Sequence, residues 1–203
     1  MAEGIKIEIF KLKNADELTK SLADPESRME TGGAAAMTAA LSASLLERAA
    51  AVTVKALPGN ERADYILRNA EILRNYMVHL IDEDAKCRHP LRRALKEGGE
   101  REIEAARQPA VAIPGEIINM MGQALELSKE LSVLCPKEAL HLLGESAELA
   151  MAAIRSARMY IVDMSDKCSD ETYRYIVRRE NEITLESCKA CADIVIAAAE
   201  AAI

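Results

Sequence analysis

Apolar residues recur every three to four positions along most of the chain, which is the pattern of helices that bury one face. Breaks fall most clearly at the Pro-Gly-Asn of residues 58–60 and at the Gly-Gly of residues 98–99. The pattern predicts a bundle of about six helices, two of them kinked, by a His-Pro step at residues 89–90 and by Pro109 and Pro114. The predicted helices cover residues 15–22, 34–57, 61–87 or beyond, 100–134, 136–163 and 170–203.

The first residues follow a different pattern. Residues 5–12 alternate apolar and polar with period two, which predicts an extended arm or short strand and leaves two turns of helix as an alternative. Asn14 then suits the N-cap of the first helix. We therefore divide the chain into an N-terminal extended arm, residues 1–13, and a single helical domain, residues 14–203.

Composition supports an all-α fold. Half of the residues are hydrophobic, yet there is one Phe and no Trp. The apolar content is therefore mostly aliphatic, and Ala, Leu and Met lose little conformational freedom on entering a helix. Strand-rich cores use more aromatic and β-branched residues.

Charge and sequence order exclude several kinds of partner. The formal net charge of −7 argues against nucleic acid, which needs clustered Lys and Arg. No basic segment followed by an apolar run opens the sequence, and the apolar residues 34–46 are too few to span a bilayer. Five cysteines cannot all pair within one chain. We expect reduced thiols in a cytoplasmic protein with no membrane or nucleic-acid partner.

Four short motifs occur in a distinctive order. They are Met-Glu-Thr-Gly-Gly-Ala-Ala-Ala at residues 29–36, Leu-Ile-Asp-Glu-Asp-Ala at 80–85, Ala-Ile-Pro-Gly-Glu at 112–116 and Asp-Glu at 170–171. Their order and spacing, over roughly residues 14–190, resemble the cyclodeaminase/cyclohydrolase family of folate enzymes. The resemblance implies the helical fold of formiminotransferase-cyclodeaminase domains.

Several positions depart from the family pattern. Its glycine-rich turn is reduced to Gly32 and Gly33, residues 135–141 lack its Ser-Asp pair, and Tyr160 and Met164 stand where two asparagines are usual. The resemblance therefore supports the scaffold more than the activity. A divergent relative that binds another small molecule or has lost catalysis remains the alternative, and an unrelated helical assembly module is disfavoured by the motif order.

The resemblance implies one-carbon chemistry between two folate nitrogens. Such an enzyme is a methenyltetrahydrofolate cyclohydrolase, which is a C–N hydrolase, or a formiminotetrahydrofolate cyclodeaminase, which is an ammonia-lyase. Asp82 and Asp84 are the candidate catalytic residues, because a carboxylate in a partly dry pocket can move the protons. Two residues apart on a helix, they point about 200° away from each other. The resemblance favours Asp82, and the alternative for both is a solvated helix end.

Other residues are candidates for binding the substrate. Gly32 and Gly33 would offer free amides to an anion at a helix start, or simply form a tight turn. Arg88 and Arg92, in a basic patch with Arg93 and His89, could hold a folate carboxylate. Arg155 lies on the helix from which family residues reach the ligand. A solvated helix face is the alternative for these arginines.

No bound cofactor or metal is predicted; tetrahydrofolate enters as part of the substrate. Cys188 and Cys191 lie within a helical pattern, and the three histidines lack the spacing of metal ligands. The resemblance implies a homodimer. The apolar C-terminal helix and the small residues of positions 35–44 are consistent with that.

Overall fold

The computed structural model describes residues 9–202, and within that range it contains helices and no strand. The predicted all-α fold is confirmed. The helices are α1 (Ala15–Ala23), α2 (Thr31–Ala56), α3 (Glu61–Cys87), α4 (His89–Glu97), α5 (Glu100–Ala110), α6 (Ala112–Ser132), α7 (Leu140–Asp166) and α8 (Glu171–Glu200), with 3-10 turns at Phe10–Leu12 and Lys137–Ala139.

Local sequence explains where the helices begin and end. The side chains of Asn14, Asn60 and Asp170 accept hydrogen bonds from backbone amides in the first turns of α1, α3 and α8. Gly59 adopts a φ of 82°, which favours glycine, in the turn before α3. Both predicted kinks divide their helices, so that α4 follows α3 at the His-Pro step and α6 follows α5 just after Pro109.

The predicted N-terminal arm is described only from residue 9 onward, and its residues 1–8 lie outside the described residues. Phe10–Leu12 is a 3-10 turn rather than a strand. Phe10 is buried and the turn packs against α3. This part of the arm therefore belongs to the helical core.

Helix α2 lies at the centre of the bundle, between α3 and α7. Its small side chains, including Ala36, Ala39 and Ala43, are fully buried, which lets the neighbouring backbones approach closely. Ser42 and Ser146 clasp α2 to α7, because each hydroxyl donates to the carbonyl of the other residue, at 2.8 and 2.9 Å. The small-residue face that the sequence offered as a dimer surface is therefore covered within the chain.

By length and composition, α2 is the one described helix that could cross a membrane. Half of its most apolar window is buried inside the bundle. Helices in the core of a bundle pass the same test, so this composition is weak evidence for a membrane span.

Candidate functional site

Arg88 stands at the junction of α3 and α4 and is only 2 % exposed. Its Nε donates to Oδ1 of Asp84 at 3.0 Å, its Nη1 donates to the carboxylate of Glu30, and its Nη2 lies 3.3 Å from the hydroxyl of Thr31. The ring of Tyr160, on α7, covers the guanidinium, with its centroid 3.6 Å from Cζ. We call these five residues the Arg88 cluster.

Asp84 is the most buried member of the Arg88 cluster, at 1 % exposure. Its Oδ2 accepts a hydrogen bond from the amide of Gly33 at 3.1 Å, so the carboxylate lies at the positive end of α2. Burial raises the pKa of Asp84, although the charge of Arg88 and its hydrogen bond act in the opposite direction. The carboxyl group therefore holds a proton more readily than an exposed aspartate does.

The two glycines lie in the first turn of α2, which begins at Thr31 and not at residue 34 as predicted. A Cβ atom on Gly32 would lie 2.0 Å from Oδ1 of Asp84, so glycine is required by this close approach. The amide of Gly33 is already bonded to Asp84. The anion at this helix start is thus a side chain of the same protein, and substrate binding by the glycines stays a prediction.

Asp82 faces a different element, as helix geometry predicts for residues two apart. Its Oδ1 accepts hydrogen bonds from the amides of Phe10 at 2.7 Å and Lys11 at 3.3 Å. The ammonium of Lys11 lies 3.9 Å from its other oxygen. Both aspartates are buried, so the alternative of a solvated helix end is wrong. In this structure Asp82 holds the N-terminal 3-10 turn against α3.

A groove of about 730 Å³ lies beside the Arg88 cluster, between α4 and the segment that joins α1 to α2. We call it the basic groove. Arg92 bonds to the carbonyl of Ala85 at 3.0 Å and pairs with Glu30 at 3.2 Å. Glu30 therefore contacts both predicted arginines. The lining consists of Pro25, Glu26, Ser27, Arg28, Glu30, His89, Arg92, Arg93, Lys96 and Glu97.

The structure brings together all but two of the predicted site residues. Arg88 lies behind the basic groove, Arg92 lines it, and Asp84 and the glycines lie next to Arg88. Asp82 faces away, toward the N-terminal turn. Arg155 is exposed on α7 and lines neither the Arg88 cluster nor the basic groove.

Sequence reasoning missed the joint role of Glu30, Thr31 and Tyr160. The four-residue spacing of Asp84 and Arg88 on one helix was a readable signal for an ion pair. Nothing in the local sequence shows that α2 and α7 bring three more groups to the same guanidinium. That arrangement depends on tertiary packing.

The cysteines offer no reactive centre. All five are free thiols, and burial is the main reason that the pKa of Cys191 rises to about 11. Burial also raises the pKa of Cys188. Within residues 9–202, no three His, Cys, Asp or Glu side chains converge to hold a metal ion.

Known proteins similar to this chain belong to the family that the motif order resembles. Residues 14–183 match the model of the formiminotransferase-cyclodeaminase family. No curated protein matches the chain. Among solved structures, the fold is similar to formiminotetrahydrofolate cyclodeaminase from Thermotoga maritima, with a TM-score of 0.86 and 20% identity over 94% of this chain and 98% of that one.

Fold and sequence match together define a helical scaffold of folate one-carbon metabolism. The chain belongs to the formiminotransferase-cyclodeaminase family. The resemblance drawn from the motif order is thereby confirmed.

Proposed function

We propose that this protein is an enzyme that releases ammonia from formiminotetrahydrofolate to give the methenyl form. Hydrolysis of methenyltetrahydrofolate is the alternative reaction. Family membership supports the substrate class, and the structural relative is itself named as a cyclodeaminase. The observation that carries the proposal is a pair of ion pairs: Arg88 bonds to Glu30, which lines the basic groove, and to Asp84, which is a buried carboxyl group.

The reaction requires two proton transfers. One folate nitrogen attacks the carbon of the protonated formimino group and loses its proton, and the departing NH2 group gains that proton and leaves as ammonia. A carboxyl group beside the reacting nitrogens can accept and return that proton. The hydrolysis needs the same kind of group, to take a proton from the attacking water.

Glu30 is the carboxylate of the Arg88 cluster that lines the basic groove, with its side chain about a third exposed. We assign it the proton exchange with substrate. Asp84 is too buried to touch a ligand, so we assign it a positioning role through Arg88, which fixes the direction of the Glu30 carboxylate. Asp82 accepts hydrogen bonds from two amides of the N-terminal turn, so we leave it out of the proposed proton exchange.

Arg92, Arg93 and Lys96 line the same groove and would hold the carboxylates of the folate glutamate moiety. No metal or redox cofactor has a role in this reaction. We further propose a cytoplasmic homodimer. Its contact surface lies outside the buried alanine face of α2, and half-exposed Ile194 on α8 is a candidate for it.

The test is a spectrophotometric assay of methenyltetrahydrofolate, formed from the formimino substrate or lost by hydrolysis. We expect Glu30→Gln to lower kcat by about a hundredfold or more, because it removes a general acid–base group. Glu26→Gln is the matched control, since Glu26 lines the same groove but is not paired with Arg88. Equal activity of the two variants would refute the role of Glu30.

One observation favours a second candidate function. Glu30 already pairs with Arg88 and Arg92, the cations that the sequence offered to an anionic substrate. A scaffold that binds a different ligand without catalysis is consistent with that pairing. Wild-type protein that converts neither folate substrate would establish this alternative.

A further inference from the structure

A second groove lies between α3, α6 and α8. Helices α3 and α8 each pack against α6 but barely touch each other, so α6 forms the floor. The groove has a volume of about 450 Å³, within the range of small-molecule sites. Its α3 wall, at Asn69, lies roughly 20 Å along the helix from Asp84, at 1.5 Å per residue. We call it the polar groove; it is separate from the basic groove.

Polar side chains without a partner line the polar groove. The carboxamides of Asn119 and Gln123 and the hydroxyls of Thr184 and Ser187 form no hydrogen bond with any described residue. Helical hydroxyls elsewhere in this chain, such as that of Ser44, donate to the carbonyl four residues earlier. These four groups are therefore available to a ligand.

The charge and shape of the lining limit the ligand. Glu126 is the one charged side chain among the described residues that line the groove, and it pairs with Lys129 at 3.3 Å, so the lining suits an uncharged ligand. Ile118 and Leu127 are apolar, and Gly122 leaves the middle of the floor without a side chain. A flat, uncharged ring with donors and acceptors at its edge fits such a surface.

We propose that the polar groove binds a neutral aminopurine nucleoside, with adenosine as the probe. A side-chain carboxamide pairs with the amine and the adjacent ring nitrogen of adenine through two hydrogen bonds, and Asn119 and Gln123 offer that group. The carboxylate of Glu126 accepts a hydrogen bond from the same amine. This binding is independent of the proposed folate reaction.

Calorimetric titration with three nucleosides tests the chemistry. Adenosine should bind about tenfold more tightly than inosine, which has a carbonyl oxygen in place of the amine and so loses the proposed hydrogen bonds from that amine. Adenosine monophosphate should bind no more tightly than adenosine, because no cation is among the described residues that line the groove and Glu126 is already paired with Lys129. Absence of adenosine binding, or tighter binding of the monophosphate, would overturn the proposal.

Two substitutions on α6 test the location. A Cβ on Gly122 meets only the sulfur of Cys188, at 3.4 Å, so Gly122→Leu should fill the groove while the helix is retained. Gly115→Leu is the control, because a Cβ there meets nothing within 4 Å and Gly115 lies outside the groove. Adenosine binding should be lost only in Gly122→Leu, and equal binding by the two variants would refute the site.

A third variant keeps the test valid if Gly122→Leu does not fold. Gln123 is exposed, so Gln123→Ala removes a carboxamide without disturbing the core. We expect it to weaken adenosine binding by about tenfold. Unchanged affinity in Gln123→Ala would also count against the proposed contacts.

Discussion

Nε of Arg88 lies 3.0 Å from Oδ1 of Asp84, and both side chains are almost completely buried. Removing one partner of such a pair leaves the other charge buried without compensation, which costs about 3–5 kcal/mol. We therefore expect Arg88→Met to lower the free energy of unfolding by about that amount. Urea denaturation measures it.

A double variant separates this effect from simple loss of packing. Arg88→Met combined with Asp84→Asn leaves no unpaired charge at Asp84. We expect the pair of changes to cost less than the sum of the two single changes, by about 1–3 kcal/mol. Additive costs would mean that the two side chains contribute independently.

A second prediction concerns the stability of a variant at Gly32. An added methyl group would overlap the carboxylate of Asp84, so Gly32→Ala should destabilise the protein by about 1–3 kcal/mol. Gly115→Ala is the matched control, because the space there is open and alanine favours a helix over glycine by about 1 kcal/mol. Thermal unfolding of both variants checks the contrast; equal shifts would contradict the close approach.

These glycines illustrate what the sequence could predict. Most helix boundaries were readable, because their signals are local: a Pro-Gly-Asn turn before α3, a Gly-Gly step before α5 and the cap at Asp170. Gly32 and Gly33 were placed before the predicted start of the helix at residue 34, because two glycines normally weaken a helix. Here the carboxylate of Asp84, 51 residues from Gly33, stabilises the turn.

The candidate site was predictable to a similar degree. The Ile-Asp-Glu-Asp-Ala segment located the acidic residues, and the nearby arginines were identified as a patch. The sequence did not reveal that Arg88 is buried, nor that Glu30 forms ion pairs with both Arg88 and Arg92. Those facts depend on which helices pack together at this end of the bundle.

Asp82 should act as an anchor for the N-terminal turn. Asp82→Ala removes the acceptor of two backbone amides, one of them buried, at a cost of about 1–3 kcal/mol. Hydrogen exchange at Phe10 and Lys11 should accelerate, while Glu83→Ala, a change at the adjacent residue, should leave it unchanged. If turnover is lost but exchange at Phe10 does not change, Asp82 is catalytic, as the family resemblance implies.

Tyr76 makes the free energy of unfolding depend on pH in the alkaline range. A hydrogen bond from its hydroxyl to Glu116 is the main reason that its pKa rises to about 12. The folded state therefore keeps this proton at a pH where the unfolded chain, with a tyrosine pKa of about 10, has lost it. The stabilisation is complete below pH of about 10 and disappears as the pH rises to about 12.

Chemical denaturation across this range tests the effect. The stability difference between wild type and Tyr76→Phe should shrink as the pH rises. Tyr175→Phe, a change on an exposed face, is the control variant and is measured across the same pH range. A constant difference for Tyr76→Phe would mean that the bond to Glu116 does not form in solution.

The hydrogen bonds between Ser42 and Ser146 fix how α2 and α7 are aligned along their axes. Alanine faces repeat the same small side chain at each turn, so two such helices could slide by one turn and still pack. The reciprocal bonds of Ser42 and Ser146 form in one register only, and any slip would break both of these bonds between the helices. That register, set about three to four turns away, brings Tyr160 over Arg88 beside Glu30.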